Sequence, residues 1–204
     1  MTTETEKTLG IIYEKYGINP EGAVNPIRLP ISRHAGFIEL LKELGFGTGA
    51  EVGVETGSYS EQLCRGIPGL KLYCVDAWTS YEGYRDYVGQ DNLDGFYETA
   101  KLRLAPYDAT LIKGWSVDVA RQFEDGSLDF VYIDANHTFE FVTADIAVWR
   151  KKVRPGGILA GHDFRRSRHN CHVKDVVQGW TYSHGISPWF IAGRDKSPSW
   201  MWVC

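Results

Sequence analysis

The chain has 204 residues, 43% of them hydrophobic, which suffices for one sizeable core and not for two ordinary domains. Its 22 Lys and Arg against 26 Asp and Glu leave a formal charge of -4, so no global positive field exists to hold a nucleic acid, and a small-molecule partner is expected instead. No uninterrupted apolar stretch is long enough to span a bilayer, and the Met1-Thr2-Thr3-Glu4 start lacks the basic and apolar regions of a signal peptide; the expectation is a cytoplasmic protein without a membrane partner, for which a homo-oligomer is allowed.

In chain order, residues 1–34 read as a short helix around Thr5–Tyr16 and an extended arm carrying Pro20, Pro26 and Pro30, an appendage to a single domain over 35–204. From Ala35 to Leu44, Phe37, Ile38, Leu40, Leu41 and Leu44 recur at helical spacing, with Gly45 as the stop. Short apolar runs then alternate with helical patterns: Ala50–Val54, Leu70–Val75, Ala109–Lys113, Leu128–Ile133 and Ile158–Gly161 predict strands. Leu128–Ile133 lacks two-residue alternation, as expected of a parallel strand covered on both faces. Helices are expected over Phe139–Lys151 and about Val173–His184. The runs Trp189–Ala192 and Trp200–Val203 are joined by a loop too short for a crossover helix, so they should pair antiparallel. The fold expected is α/β: a Rossmann-like, doubly wound, seven-stranded sheet, mostly parallel, ending in an antiparallel hairpin. Cys64, Cys74, Cys171 and Cys204 show no CxxC pair or regular spacing, which predicts reduced thiols rather than a disulfide framework or structural zinc.

The most informative segment is Glu51-Val52-Gly53-Val54-Glu55-Thr56-Gly57-Ser58-Tyr59-Ser60, a strand entering a glycine turn and a helix. Its glycines are spaced GxxxG rather than GxGxxG, so the pyrophosphate cradle of a dinucleotide fold is missing, while exposed backbone N–H groups can still receive a smaller carboxylate. Glu51 suits a ligand carrying an ammonium and a sulfonium, which favours S-adenosylmethionine over a nucleotide. The same turn also serves merely to pack a helix on a strand. Asp76 ends the next strand 23 residues after Gly53, near the roughly 20-residue offset at which an acid meets ribose hydroxyls. Ala77 and Trp78 follow, and Trp78 could stack on the cofactor or close the core. Trp115 and Ser116, after the third strand, offer a flat face and a hydrogen-bond donor where adenine would sit; a core aromatic and an N-cap are their plain alternatives.

With Gly114-Trp115-Ser116, the run Leu128-Asp129-Phe130-Val131-Tyr132-Ile133-Asp134-Ala135-Asn136-His137 and the run Arg154-Pro155-Gly156-Gly157-Ile158-Leu159-Ala160-Gly161-His162-Asp163, the segment Glu51–Asp163 resembles the class I S-adenosylmethionine-dependent methyltransferases, especially the methyltransferase 24 type. The resemblance implies a cofactor site over Glu51, Gly53, Gly57, Ser58, Ser60, Asp76, Ala77, Trp78, Trp115, Ser116 and Asp134, and it is specific for fold and cofactor but weak for substrate. It extends to metal-dependent O-methyltransferases, in which matching acidic positions hold magnesium and a histidine placed like His137 acts as base, with Asp134 beside it.

Asp134 and Asp163 could therefore share a divalent ion that orients an acceptor hydroxyl. His162 departs from the sugar-modifying relatives, which tend to carry a second carboxylate there. Imidazole suits manganese, iron or zinc better than magnesium, so His162 either changes the metal or is not a ligand. Between the second and third strands Tyr81, Tyr84, Tyr87, Phe96 and Tyr97 could wall an acceptor pocket or pack the core, and Arg165, Arg166 and Arg168 could grip an acidic acceptor or be solvated. The alternatives to a methyltransferase are a non-catalytic S-adenosylmethionine-binding module and, disfavoured by the GxxxG spacing and Glu51, an NAD-linked oxidoreductase.

Overall fold

A computed structural model describes residues 2–81, 89–167 and 171–204. Tyr84, Tyr87 and Arg168 lie outside the described residues. The chain begins with helix α1, Glu4–Tyr16, whose start is fixed by a capping box: Glu6 N–H donates to Thr3 Oγ1 at 3.1 Å and Thr3 N–H to Glu6 Oε2 at 2.7 Å. Strand β1, Ile27–Leu29, follows, and a π-helical turn at Arg33–Phe37 leads into helix α2, Ile38–Glu43. The core then alternates β2 (Thr48–Val52), α3 (Ser58–Gly66), β3 (Lys71–Asp76), α4 (Gln90–Leu104), β4 (Ala109–Lys113), α5 (Ser116–Ala120), β5 (Leu128–Ile133), α6 (Phe139–Trp149) and β6 (Val153–Gly161). Helix α7, Val173–Ser183, and strands β7, Phe190–Ala192, and β8, Trp200–Val203, close the chain.

The strands form one sheet in the order β1-β7-β8-β6-β5-β2-β3-β4, with β8 antiparallel to both its neighbours and every other pairing parallel. Among the described residues eight strands replace the expected seven because the arm does more than trail: Ile27 to Leu29 pair with Phe190 to Ala192. The arm could be read as extended but not as paired, since three residues between prolines carry no periodicity of their own. The expected single helix over Ala35–Leu44 is likewise divided, its first turn being π-helical.

Both faces of the sheet are covered, which explains the missing alternation. In β5, Phe130 and Tyr132 join the core beneath α1 to α4, whereas Val131 and Ile133 join the one beneath α5 to α7. Helix α1 belongs to this core through fully buried Ile12, and its Thr5 and Thr8 hydroxyls donate to the carbonyls of Cys204 and Gly156, each at 2.7 Å. All four cysteines are free thiols. The chain leaves β2 toward β3 and β4 on one side and returns to β5 and β6 on the other. The crevice at this reversal, outside the carboxyl ends of β2 and β5, is where open α/β sheets bind ligands.

Candidate active site

The ladder runs one residue past the strand ends and sets the site residues in a row. Gly53 N–H donates to Val75 O, Gly114 N–H to Asp76 O, Asp134 N–H to Val52 O and His162 N–H to Ile133 O, all at 2.7–2.9 Å. Gly53 has φ of +92°, and a Cβ there would lie 2.2 Å from the Asp134 carbonyl oxygen. Its missing side chain thus serves first to bring the ends of β2 and β5 together. Among the described residues, three non-glycine residues with positive φ, Glu55, Trp78 and Asp163, follow the ends of β2, β3 and β6. Such conformations cost free energy and cluster where surrounding structure holds a functional geometry.

A cavity of about 470 Å³ opens along this edge, bordered by Glu51, Gly53, Ser58, Asp76, Ala77, Trp78, Trp115, Ser116, Asp134 and His137 among the expected residues. Gly57 and Ser60 do not border it. Gly57, at φ +73°, is the N-cap of α3, where an added Cβ would lie 3.4 Å from Ala100, and the Ser60 hydroxyl stands behind Glu51 as its hydrogen-bond donor. Burial pushes the Glu51 carboxyl up to about 8, against the opposing effect of the Ser60 hydroxyl. Without a cationic ligand, therefore, Glu51 holds its proton at neutral pH.

Asp76 is the clamp of the edge. Its Oδ2 accepts from Val54 N–H at 2.8 Å and Glu55 N–H at 2.9 Å, and its Oδ1 accepts from Trp78 N–H at 2.9 Å. A carboxylate has about four acceptor positions, so Oδ1 retains one for a ligand hydroxyl. Trp78 closes the core as well as bordering the cavity: it is fully buried, stacks edge-on against Tyr97 at 4.9 Å and donates from Nε1 to Glu55 O. Trp115 is 42% exposed and packs edge-on against Tyr81 at 5.0 Å. Ser116 differs from expectation, because its hydroxyl is already committed, donating to Asp145 while accepting from Trp149 Nε1.

At the other end, two imidazoles and two carboxylates converge. His137 Nε2 lies 3.4 Å from Asp134 Oδ1 and 3.3 Å from Asp163 Oδ2, and His162 Nδ1 lies 3.5 Å and 3.7 Å from the same carboxylates. Burial would raise the Asp134 carboxyl, yet His137, His162 and Arg33 hold it well below the usual carboxylate range. Burial would lower His162, but Asp134 and Asp163 push it up to about 9. Ligand atoms of Asp134, His162 and Asp163 fall within 4.8 Å of one another, close enough to share one ion. His162 and Asp163 do not border the main cavity; they stand behind Asp134 and His137.

Other expected residues are elsewhere engaged. Arg165 Nε lies 2.9 Å from Asp163 Oδ1 and Arg166 Nε 3.1 Å from Asp175 Oδ2, so both cations have partners within the fold. Tyr81 and Phe96 border the cavity, whereas Tyr97 packs behind Trp78. Sequence reasoning missed Arg33, whose Nη1 pairs with Asp134 Oδ2 at 2.7 Å and whose guanidinium lies 4.9 Å from the Tyr59 ring centroid. It also missed Asp145, an acid inside the buried stripe Val142, Asp145, Ile146, Trp149 of α6. That spacing of i, i+3, i+4 and i+7 was a visible signal.

The family model for a methyltransferase domain matches residues 50–164, more than half the chain and the whole of this edge. The chain belongs to this methyltransferase family. Its fold is that of the class I S-adenosylmethionine-dependent methyltransferases. A putative caffeoyl-CoA O-methyltransferase from Staphylococcus aureus aligns with a TM-score of 0.63 at 15% identity, covering 97% of this methyltransferase and 91% of that chain. An O-methyltransferase from Bacillus cereus in complex with S-adenosylhomocysteine gives 0.61 at 14% identity, covering 98% and 90%. TomG from Streptomyces achromogenes, an O-methyltransferase of tomaymycin synthesis in complex with S-adenosylmethionine, gives 0.57 at 17%, covering 98% and 89%. No curated protein matches. No helix among the described residues of the methyltransferase is long and apolar enough to cross a membrane.

Proposed function

We propose that this methyltransferase binds S-adenosylmethionine in the cavity at the β2/β5 crevice and transfers its methyl group to a hydroxyl oxygen of a small acceptor. The observation that carries the reading is one continuous cavity with Glu51 and Asp76 on one side and the Asp134–His137 pair on the other. In this reading Glu51 gives up its proton to face the cofactor's ammonium, the free lone pair of Asp76 Oδ1 accepts from a ribose hydroxyl, and Trp115 supplies a flat apolar face to the adenine. The O-methyltransferases that share the fold support oxygen as the acceptor atom.

Methyl transfer is an in-line displacement in which the acceptor O–H bond breaks as the O–C bond forms, so alignment supplies much of the rate. The His137 imidazole takes the proton on Nδ1, because Nε2 faces the Asp134 and Asp163 carboxylates and carries the N–H directed at them. The imidazolium so formed lies between the Asp134 and Asp163 carboxylates, which stabilise it. Asp134, His162 and Asp163 fit a divalent ion in number and spacing, and one imidazole with two carboxylates suits manganese or a softer ion better than magnesium. Bound there, such an ion would lower the acceptor hydroxyl's pKa. Arg33 already holds one oxygen of Asp134, which leaves Oδ1 as the atom that can serve both His137 and a metal.

Titration calorimetry with S-adenosylmethionine, S-adenosylhomocysteine and NAD tests the cofactor. Binding of the two sulfur compounds without comparable NAD binding is expected; the reverse overturns the reading. A methylation screen over small hydroxyl-bearing acceptors, with and without chelator, then tests the chemistry. His137→Ala should retain cofactor binding and lose turnover.

A further inference from the structure

Helix α6 turns Val142, Ile146 and Trp149 into the core, and Asp145, 2% exposed, lies on that same face. A carboxyl group in this position is costly unless polar partners surround it. Its one hydrogen-bond partner among the described residues is Ser116, whose Oγ donates to Oδ1; Trp149 Nε1 donates in turn to Ser116 Oγ at 2.8 Å. This chain of donors fixes the carboxyl group's orientation and leaves Oδ2 without a hydrogen bond among the described residues. No cation pairs with Asp145 among the described residues, and burial, only partly opposed by the Ser116 hydroxyl, pushes its carboxyl up to about 7. Asp145 nevertheless borders the cavity, beside Gly114, Trp115 and Ala144. This is the β4 side of Asp76, the end away from His137 and the reacting oxygen.

We propose that Asp145 recognises the base of the cofactor, its Oδ2 accepting a hydrogen bond from the exocyclic N6 amino group of adenine. The inference rests on the reading that the cavity holds S-adenosylmethionine. An adenine lying along Trp115 presents an edge with an N–H donor, the one group that an underused buried acceptor lacks. Ser116, which donates to Asp145, and Trp149, which donates to Ser116, are positioning residues that act through Asp145. With the carboxyl ionised, a base with an oxygen at that position would set acceptor against acceptor, so the ionised site also selects the adenine nucleoside over its 6-oxo counterpart.

The test compares affinities of S-adenosylhomocysteine and of its analogue with hydrogen in place of the N6 amino group, for the wild type, Asp145→Leu and Asp145→Asn. A site built to bond a donor rejects a ligand lacking it, so the wild type should prefer the amino compound by about tenfold or more. Asp145→Leu should bind the amino compound more weakly and show less than about threefold preference, because no acceptor remains. Asp145→Asn keeps the shape and a carbonyl acceptor, so it should fold and retain a preference. Equal losses for both ligands in Asp145→Leu, with the ratio unchanged, would make Asp145 a purely structural partner of Ser116 and overturn the proposal. Should the leucine variant not fold, a wild-type ratio near one overturns it equally. A wild type that binds neither ligand fails the S-adenosylmethionine reading itself.

Discussion

Glu51 is a buried acid whose proposed part in binding comes at the expense of stability. Its carboxyl ionises near 4.5 when free and near 8 in the fold, so between those values the folded state holds one proton more than the unfolded state. Stability contributed by this group therefore falls as pH rises through that window, by at most roughly 1.4 kcal/mol per pH unit. Glu51→Gln removes the titration: urea unfolding should find the variant gaining on the wild type from pH 5 to pH 8, and an unchanged difference would show that Glu51 is ionised throughout. The same variant should bind S-adenosylmethionine at least about tenfold more weakly, since the ammonium loses its counter-charge. Arg33 makes the opposite case. Its guanidinium lies 2.7 Å from Asp134, where it would repel a divalent ion sharing that carboxylate. Arg33→Met should tighten manganese binding by about tenfold in calorimetry, whereas equal affinity would place the ion away from Asp134. Glu51 was legible because it stands in a strand-turn-helix motif. Arg33 was not, because the contact spans 101 residues and depends on a π-helical turn that local pattern does not announce.

At the scale of elements, the buried strands and helices were legible where both ends carried a signal. Ala109–Lys113, Leu128–Ile133 and Trp200–Val203 lie where hydrophobic runs place them. Strand β1 was not, since its pairing with β7 is a tertiary choice made by an arm that α1 and the β7–β8 loop hold in place; Arg33 N–H, for instance, donates to Asp195 Oδ2. Ser60 and Gly57 were assigned to the cofactor because motif membership does not distinguish residues that face the cavity from those supporting them. The Gly53 turn joins these levels. Gly53→Ala would set a Cβ against the Asp134 carbonyl oxygen and the Ala135 backbone in a conformation unfavourable to side chains. The ends of β2 and β5 must then separate, at a cost of about 3 kcal/mol. Denaturant unfolding should show that loss together with weaker cofactor binding; a variant as stable as the wild type would mean that the two strand ends are not in contact.

Considered whole, the methyltransferase divides at the β2/β5 reversal into two halves of one sheet, and the cavity takes residues from both: Glu51, Asp76 and Trp115 on one side, Asp134 and His137 on the other, with Arg33 reaching in from the N-terminal arm. A ligand in this position binds the assembled sheet and has no counterpart site in the unfolded chain. Its binding free energy therefore becomes stability of the whole molecule. At a concentration one hundred times its dissociation constant, S-adenosylhomocysteine should add about 2.7 kcal/mol. For a chain of this size each kcal/mol moves the melting temperature by about 2–4 °C, so a rise of about 5–11 °C is expected by calorimetric scan. NAD at the same concentration should produce none, because the GxxxG turn provides no pyrophosphate cradle. Asp76→Asn, which keeps one carbonyl acceptor for the turn but replaces the other oxygen with a donor, should lower the melting temperature of the free protein and shrink the ligand-induced rise as well. A full-sized rise in that variant would remove Asp76 from the cofactor's ribose and leave it solely as the clamp that joins the turn after β2 to the turn after β3.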